Sequence, residues 1–527
     1  MVSISAAAEQ STDDAPEVAL PRRRSHTLRI LLIAPAILAA LDLWGLARGG
    51  AYGYDEGASR WAARLPLHEL FRLLRHVDAV HGLYYLGLHA WMAFGTGPIA
   101  MRLPSLLAAA ATAAIVTTLG RTLGGSTAVG LVAGLLYAVS PFVMFYAQTA
   151  RSFAIVSLGV ALATLLFVKA LDAERNEARR AVVLRYWAGY AALVGLTGWL
   201  NELALLMLAA HALTLLLSLC PWRAVMHWLI ATLCGGIAVS PLAIMSIAQQ
   251  SAVATDRASV HRLYLLMGHL FGPGRPVMIV TIVCALIAVL PGDRTKPARL
   301  VAVALPLLVV PPVLLAIEAS IGHPLFGARY IFYSVIGAVL LVAHGTVRLG
   351  RRLFGDRRGA VVWVPAIGVA VAAFALLAQL PYDAHIRSAN SRTHNFEAPA
   401  AYLATSARPG DGVLFFDSFF RMVALAYPED FHHIKDVALD ETPRATGSFH
   451  GTNFPFAIAR SRILDYDRIW VIGLPPQVRR MGPVDLMELT LLNHEYSRVG
   501  FRQFQGEDVW LYVRRIDAQV LTQTKAA

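Results

Sequence analysis

The chain has 527 residues, of which 57% are hydrophobic and only 15% charged, with a mean hydropathy of +0.55. An ordinary soluble domain carries about 25% charged residues, so this composition excludes a wholly soluble protein and indicates a polytopic membrane chain. The net charge of +12 would suggest nucleic-acid binding in a soluble protein. Here the arginines cluster in short loops between apolar runs, as cytoplasmic anchoring requires, and no nucleic-acid partner is expected. Cys220, Cys234 and Cys284 lie in or beside apolar segments without CxxC or Cys/His spacing. They argue against both a disulfide framework and a zinc site.

Residues 1–27 are polar, end on Arg22-Arg23-Arg24 and lack the apolar core of a secretory signal, so they read as a disordered cytoplasmic tail. Residues 28–47 then form a signal anchor with its N-terminus inside. That span delivers Ala51-Tyr52-Gly53-Tyr54-Asp55-Glu56-Gly57 to the outer surface. Carboxylates at a membrane edge are costly unless solvated, paired or working. A solvated loop pair and a functional site both fit Asp55 and Glu56.

Residues 58–76 alternate Trp61, Leu65, Leu70, Phe71 and Leu74 with Arg60, Arg64, Arg72 and Arg75, the pattern of an interfacial amphipathic helix. Residues 82–94 are too short for the ~20 residues a crossing needs and form a second juxtamembrane helix. Further spans follow at 99–119, 129–146, 152–171, 187–200, 203–219 and 225–247, with 249–275 as an external loop holding His261, Arg262 and His269. The last four spans are 276–290, 300–321, 329–347 and 360–380. The basic loops at Arg121, 172–180, 292–296 and 348–358 all fall inside in this threading, which gives about eleven crossings of the cell membrane.

Residues 28–381 thus form a transmembrane unit. From residue 382 to 527 the composition turns soluble. Val413-Leu414-Phe415-Phe416 and Arg468-Ile469-Trp470-Val471-Ile472-Gly473 read as strands after turn residues, with helical stretches at 398–406 and 484–492 on either side of them. A small extracytoplasmic α/β domain is expected.

The threading gathers Asp55, Glu56, His81, Tyr84, Tyr85, Gln148, Arg151, Glu202, His261, His323, Arg329 and Tyr330 at the outer face. The middles of the spans are almost free of ionisable groups, unlike an ion pathway. Carboxylates and arginines at the water boundary suit a lipid-linked phosphate, which arginine clamps while staying charged. Arg329 leads the candidates for that clamp, and a snorkelling anchor is its structural alternative. Gln148 and Arg151 also fit a polar turn capping a span, and Tyr84 and Tyr85 fit an interfacial aromatic belt.

Asp55-Glu56, His81-Gly82-Leu83-Tyr84-Tyr85, Arg102-Leu103-Pro104-Ser105, Ser140-Pro141, Gln148-Thr149-Ala150-Arg151 and Arg329-Tyr330 occur in an order that resembles the GT-C glycosyltransferases. Within them the resemblance is to the branch of protein O-mannosyltransferases and lipid A aminoarabinose transferases, the family 39-like branch. It covers mainly residues 28–350. Two positions depart from that branch: Gly82 follows His81 where proline is usual, and Thr149 stands where glutamate is frequent. The resemblance implies a GT-C-like fold and transfer of a sugar from a polyprenyl phosphate donor to a glycan, lipid or protein acceptor at the outer face, usually with inversion. It implies Asp55 as general base, with Glu56 orienting the acceptor or tuning Asp55. Arg329 would stabilise the leaving phosphate, with Arg151 or His261 as second choices, while His81, Tyr84, Tyr85, Gln148, Glu202 and Tyr330 would line the substrate site. That scheme requires no metal and no cofactor. A transporter or flippase of lipid-linked sugars is the competing class; it would need no base, and inverted repeats would support it.

Overall fold

The computed structural model describes residues 22–48, 52–249, 257–291, 297–322, 325–355, 360–474 and 481–515. Residues 1–21 of the expected tail, the loop 292–296, His323 and the extreme C-terminus lie outside them, while residues 22–27, expected in the same tail, are helical. The described residues begin with α1 (Arg22–Arg48), α2 (Tyr54–Arg64), α3 (Leu67–His76), α4 (Gly82–Trp91) and α5 (Pro98–Gly124). They continue through α6 (Thr127–Ala138), α7 (Pro141–Ala147), α8 (Phe153–Arg175), α9 (Arg180–Leu200), α10 (Leu206–Leu217) and α11 (Trp222–Ala248). The last membrane-region helices are α12 (Val260–Phe271), α13 (Arg275–Val289), α14 (Pro297–Ile321), α15 (Val335–Phe354) and α16 (Ala360–Ile386).

Seven of the described helical segments are long and apolar enough to cross a membrane, and nine if each bent pair counts as one span. This is a multi-pass membrane protein. Residues 129–146 form one of the bent pairs: α6 and α7 meet at 61°, because Ser140 is extended and Pro141 opens the second helix. The other pair is α12 with α13, bent by 73° around Gly272 and Gly274, both at positive φ. The stretch expected as an external loop at 249–275 therefore contains a helix, whose Leu266, Leu270 and Phe271 are buried.

The expected amphipathic helix 58–76 is two helices. Leu65 and Pro66 are both extended, since proline cannot donate into a helix interior and disfavours the α region in the residue before it. Helix α16 runs on through Pro381 to Ile386, so the boundary expected at 381 lies within a helix.

The rest of the chain carries α17 (Glu397–Ser406), β1 (Gly412–Phe415), α18 (Met422–Ala426), β2 (Lys435–Asp436), α19 (Pro443–Thr446) and α20 (Phe456–Leu464). It ends with β3 (Arg468–Gly473), α21 (Pro483–Glu495), β4 (Tyr496–Gln503) and β5 (Asp508–Arg514). The sheet order is β2-β1-β3-β5-β4. Strands β1, β2 and β3 run parallel, while β5 lies antiparallel between β3 and β4. Buried Leu414, Ile469, Val471 and Tyr512 pack its own core.

This α/β unit sits on α2 and α3. Arg60 donates to the Ala426 carbonyl, Arg64 pairs with Glu429 at 3.2 Å, and Arg444 reaches Glu69 at 2.6 Å. A Cβ on Gly57 would stand 3.1 Å from that of Ala426. The arginines that gave residues 58–76 their amphipathic pattern thus serve partly to dock the α/β unit.

Within the membrane region, α13 and α15 touch backbone to backbone at Gly345, where an added Cβ would lie 1.7 Å from the Cys284 carbonyl oxygen. Small residues permit such approaches between spanning helices. Gly345→Ala forces the two helices apart and should destabilise the protein by about 1–3 kcal/mol, read as a lowered unfolding temperature in detergent; an unchanged temperature would show that the contact carries no weight.

Candidate functional site

Helix α2 begins after extended Gly53, and Asp55 and Glu56 fall in its first turn, where helix-end amides favour negative charge. Adjacent positions on a helix face different ways, and the two acids have opposite environments. Glu56 is 2% exposed and meets Arg102, itself 1% exposed, in a fork of two 2.9 Å bonds from Nε and Nη2. It also accepts the Ala150 N–H at 2.8 Å. Asp55 is 39% exposed and stands between two arginines, its Oδ1 3.4 Å from Arg151 and its Oδ2 3.4 Å from Arg329. Only Asp55 is open to a substrate.

The Arg102-Leu-Pro-Ser105 sequence accounts for the rest of the frame. Arg102 and Ser105 lie one turn apart on α5 and share a face. While Arg102 grips Glu56, the Ser105 hydroxyl donates to the carbonyls of Thr149 and Arg151 at 2.7 and 3.2 Å. The turn between α7 and α8 is thereby fixed against α2, and Arg151 is aimed at Asp55. Arg392, from the segment after α16, adds bonds to the Gln148 carbonyl and Thr149 Oγ1, each 3.1 Å, and its Nε lies 3.9 Å from Glu56.

Arg151 is buried and touches several expected residues at once. Its Nη1 donates to the Tyr85 hydroxyl at 2.6 Å and approaches Ser59 Oγ at 3.4 Å. The Tyr85 hydroxyl in turn donates to Asp78. His81 is buried beside this group, its ring 6.1 Å from that of Tyr85. Burial, helped by the Arg151 charge, pushes His81 down to about 4, so it is neutral at physiological pH. Burial pushes the Asp55 carboxyl up, but Arg151 and Arg329 outweigh it and hold the group below its ordinary value. Glu56 is likewise held down against its burial, chiefly by Arg102.

Arg329 sits on a 3₁₀ stretch, Ala328–Ser334, that leads into α15, and its guanidinium lies 4.9 Å from the centre of the Tyr330 ring. Tyr84 is buried, and its hydroxyl has no hydrogen-bond partner among the described residues. Three expected site residues point elsewhere. Gln148 donates to Asp42 of α1 at 2.8 Å, Glu202 accepts from Ser246 of α11 at 2.6 Å, and His261 is exposed on α12. Among the described residues no hydrogen bond or ion pair joins these three to Asp55.

Sequence reading missed Asp78, Ser59, Arg392 and the role of Arg102. A charge in the first turns of an apolar span needs a partner, and that was the available signal for Arg102. The C-terminal α/β unit also reaches the site: Phe419 stacks on Tyr54 at 4.4 Å, and His450 Nε2 lies 3.4 Å from the Tyr54 hydroxyl while its Nδ1 faces the Ser418 carbonyl. That carbonyl assigns the proton to Nδ1. Behind Arg329, Tyr330 and Phe153 lead to Tyr146 and to a cavity of about 250 Å³ lined by Phe142, Phe145, Tyr146, His269, Tyr382 and His385. No three His, Cys, Asp or Glu side chains among the described residues are grouped to hold a metal ion.

No protein-family model matches the sequence, and no curated protein matches it. Solved structures do. ArnT from Cupriavidus metallidurans in the apo state superposes with a TM-score of 0.58 over 93% of this chain and 98% of its own, at 11% identity. The same protein bound to undecaprenyl phosphate gives 0.56 over 92% and 98%, at 13% identity. The Archaeoglobus fulgidus oligosaccharyltransferase tethered to an acceptor peptide with the NVT sequon gives 0.50 over 93% and 74%, at 11% identity. The chain has the GT-C fold. At such low identity the GT-C likeness extends through both the helices and the C-terminal unit, because it spans nearly the whole chain.

The Glu56–Arg102 pair is dry and forked, so breaking one partner strands a buried charge. Glu56→Ala should cost about 3–5 kcal/mol of stability, seen as a large drop in unfolding temperature. Because Glu56 is depressed in the folded protein, its stabilisation is full above the ordinary glutamate value and is lost as pH falls through the lowered one. A Glu56→Ala protein as stable as wild type at pH 7 would contradict this role.

Proposed function

We propose that this protein is a glycosyltransferase that moves a sugar from a polyprenyl-phosphate donor to a hydroxyl of a glycan, lipid or protein acceptor at the outer face of the cell membrane. The observation that carries this reading is Asp55, half-exposed and held between Arg151 and Arg329 in a chain with the GT-C fold. Asp55 takes the acceptor proton as the acceptor oxygen attacks the anomeric carbon, and the bond to the phosphate oxygen breaks on the opposite side, inverting the centre. The polyprenyl phosphate leaves with its electron pair and remains anionic, so it needs charge stabilisation more than a proton.

Arg329 is suited to that task because it is 37% exposed and its contact with Asp55 is 3.4 Å, loose enough for a phosphate to replace. When the donor's phosphate takes Arg329, Asp55 loses a neighbouring positive charge and becomes a stronger base. The aromatic cavity behind Tyr330 offers room for part of the apolar tail. Arg151 stays committed to the site's own frame, and Glu56 positions α2. His81, Tyr84, Tyr85 and Tyr330 border the substrate, and Gln148, Glu202 and His261 serve it only indirectly.

In the same reading the N-terminus is cytoplasmic. Eleven crossings result when each bent pair counts once and α9 and Glu202–Leu217 also span. The helices through α16 supply the catalytic unit, α2, α3 and α4 lie at the interface, and the α/β unit that follows α16 forms an extracytoplasmic domain. The neighbours bound to undecaprenyl phosphate and to an acceptor peptide support a donor and acceptor of these classes.

Transfer of radiolabelled sugar from defined polyprenyl phosphate donors, in membranes carrying the protein, tests the reading. Asp55→Asn should lower turnover by about 10²–10⁴-fold and Arg329→Ala by about 10²-fold; full turnover in Asp55→Asn would remove the base, and movement of lipid-linked sugar across vesicles without transfer would favour a flippase. The acid limb of kcat/KM, which reports the free protein, should lie below the ordinary aspartate range and below the acid limb of kcat. Coincident limbs would show that Arg329 does not leave Asp55 when donor binds.

A further inference from the structure

Asp78 was invisible to sequence reasoning, yet it occupies a conformation that most side chains avoid. Its φ and ψ are 61° and 29°, the left-handed region that aspartate tolerates better than most residues but still at a cost. Such geometry persists where surrounding structure over-determines it, and it concentrates at functional sites. The surroundings here do so. The Asp78 carbonyl accepts the His81 N–H at 3.0 Å, and Gln249 at the end of α11 accepts the Ala79 N–H while donating to the Leu74 carbonyl, both at 2.9 Å.

That turn aims the Asp78 carboxylate at Arg151 by two routes. One is direct, with Oδ2 3.7 Å from Arg151 Nη1. The other runs through Tyr85, whose hydroxyl accepts from Arg151 and donates to Asp78. Arg151 is therefore shared by two carboxylates, Asp55 on one amino group and Asp78 on the other.

Resting on the glycosyl-transfer reading above, we propose that Asp78 is a positioning residue: by sharing Arg151 through Tyr85 it holds that guanidinium in place and limits how much of its charge falls on Asp55. With Asp78 ionised, Arg151 is largely matched and Asp55 stays basic enough to accept a proton. Without that charge, Arg151 is matched by Asp55 alone, and the base is weakened. Charged and titratable groups face Asp55 from each packed element: Arg151 from the turn before α8, Arg329 from the stretch before α15, His81 from the turn before α4, Arg392 from the segment after α16 and Tyr146 from α7. Tyr54 adjoins it on α2 and leads to His450 and Asp417 of the soluble unit. Of these, His81 is neutral and Tyr54 protonated near pH 7, so Asp78 is the anion that balances Arg151 against Asp55.

The test uses the full chain in detergent or membranes. The Asp55 carboxylate is titrated by infrared difference spectroscopy, subtracting Asp55→Asn from wild type, and Asp55→Asn/Asp78→Asn from Asp78→Asn. The acid limb of kcat/KM is measured alongside. Asp78→Asn should move both the Asp55 titration and the acid limb down by about one pH unit, with turnover lowered at neutral pH; Asp78→Glu should restore much of both. Tyr85→Phe should lower turnover while shifting the Asp55 titration less than Asp78→Asn does, since the direct contact remains. A titration unmoved in Asp78→Asn, with turnover reduced equally at every pH or the protein merely less heat-stable, would overturn the proposal. A moved titration in a protein that transfers no sugar would keep the coupling and refute the glycosyl-transfer reading instead.

Discussion

Glu56 and Arg102 meet where solvent reaches neither, and much of the site's geometry follows from that contact. A carboxylate and a guanidinium in such a place are each costly alone and tolerable only as a forked, fully hydrogen-bonded pair. The pair therefore admits little play. It ties α2 to α5, and through the Ala150 N–H it ties both to the turn before α8. Asp55 is the next residue along α2, and Arg151 is the next beyond Ala150. Their approach is a consequence of a bond neither of them makes. One acid of the adjacent pair is consumed by architecture so that the other can be left half-exposed.

The broad architecture was legible because apolar runs and basic loops carry it directly. The C-terminal α/β unit was legible because Asp411-Gly412 and the apolar stretches after it punctuate the chain as strands do, and β1, β3, α17 and α21 fall where they were expected. What periodicity does not carry is direction. Nothing in Gln148-Thr149-Ala150-Arg151 says that Gln148 turns inward to Asp42 while Arg151 turns to Asp55; Ser105, far off in the chain, decides it by holding both neighbouring carbonyls. The helix within 249–275 was hidden because its arginine, histidines and flanking glycines resemble a loop's composition. The break at Leu65–Pro66 was hidden by apolar spacing that continues across it. Asp78 was hidden because its importance lies in a left-handed turn fixed by Gln249, a residue of another helix.

The same logic accounts for the C-terminal unit's place. It docks on Arg60 and Arg64 of α2 and on Glu69 of α3 and brings Phe419 and His450 against Tyr54, one residue from the proposed base. Helix α2 is thus clamped from one side by a buried ion pair and from another by the C-terminal α/β unit. Arg329 is held by neither. It stands at the start of a short 3₁₀ stretch, its contact with Asp55 is 3.4 Å and its guanidinium lies over the Tyr330 ring, an arrangement that suits a side chain that changes partners when an anionic ligand arrives.

The most direct measurement is a cryo-electron microscopy structure of the full chain with a polyprenyl phosphate bound. The phosphate is expected at Arg329, with the Asp55–Arg329 contact opened and the Glu56–Arg102 fork unchanged. A phosphate seated away from Arg329, with Asp55 still paired to it, would refute the exchange of partners at Arg329.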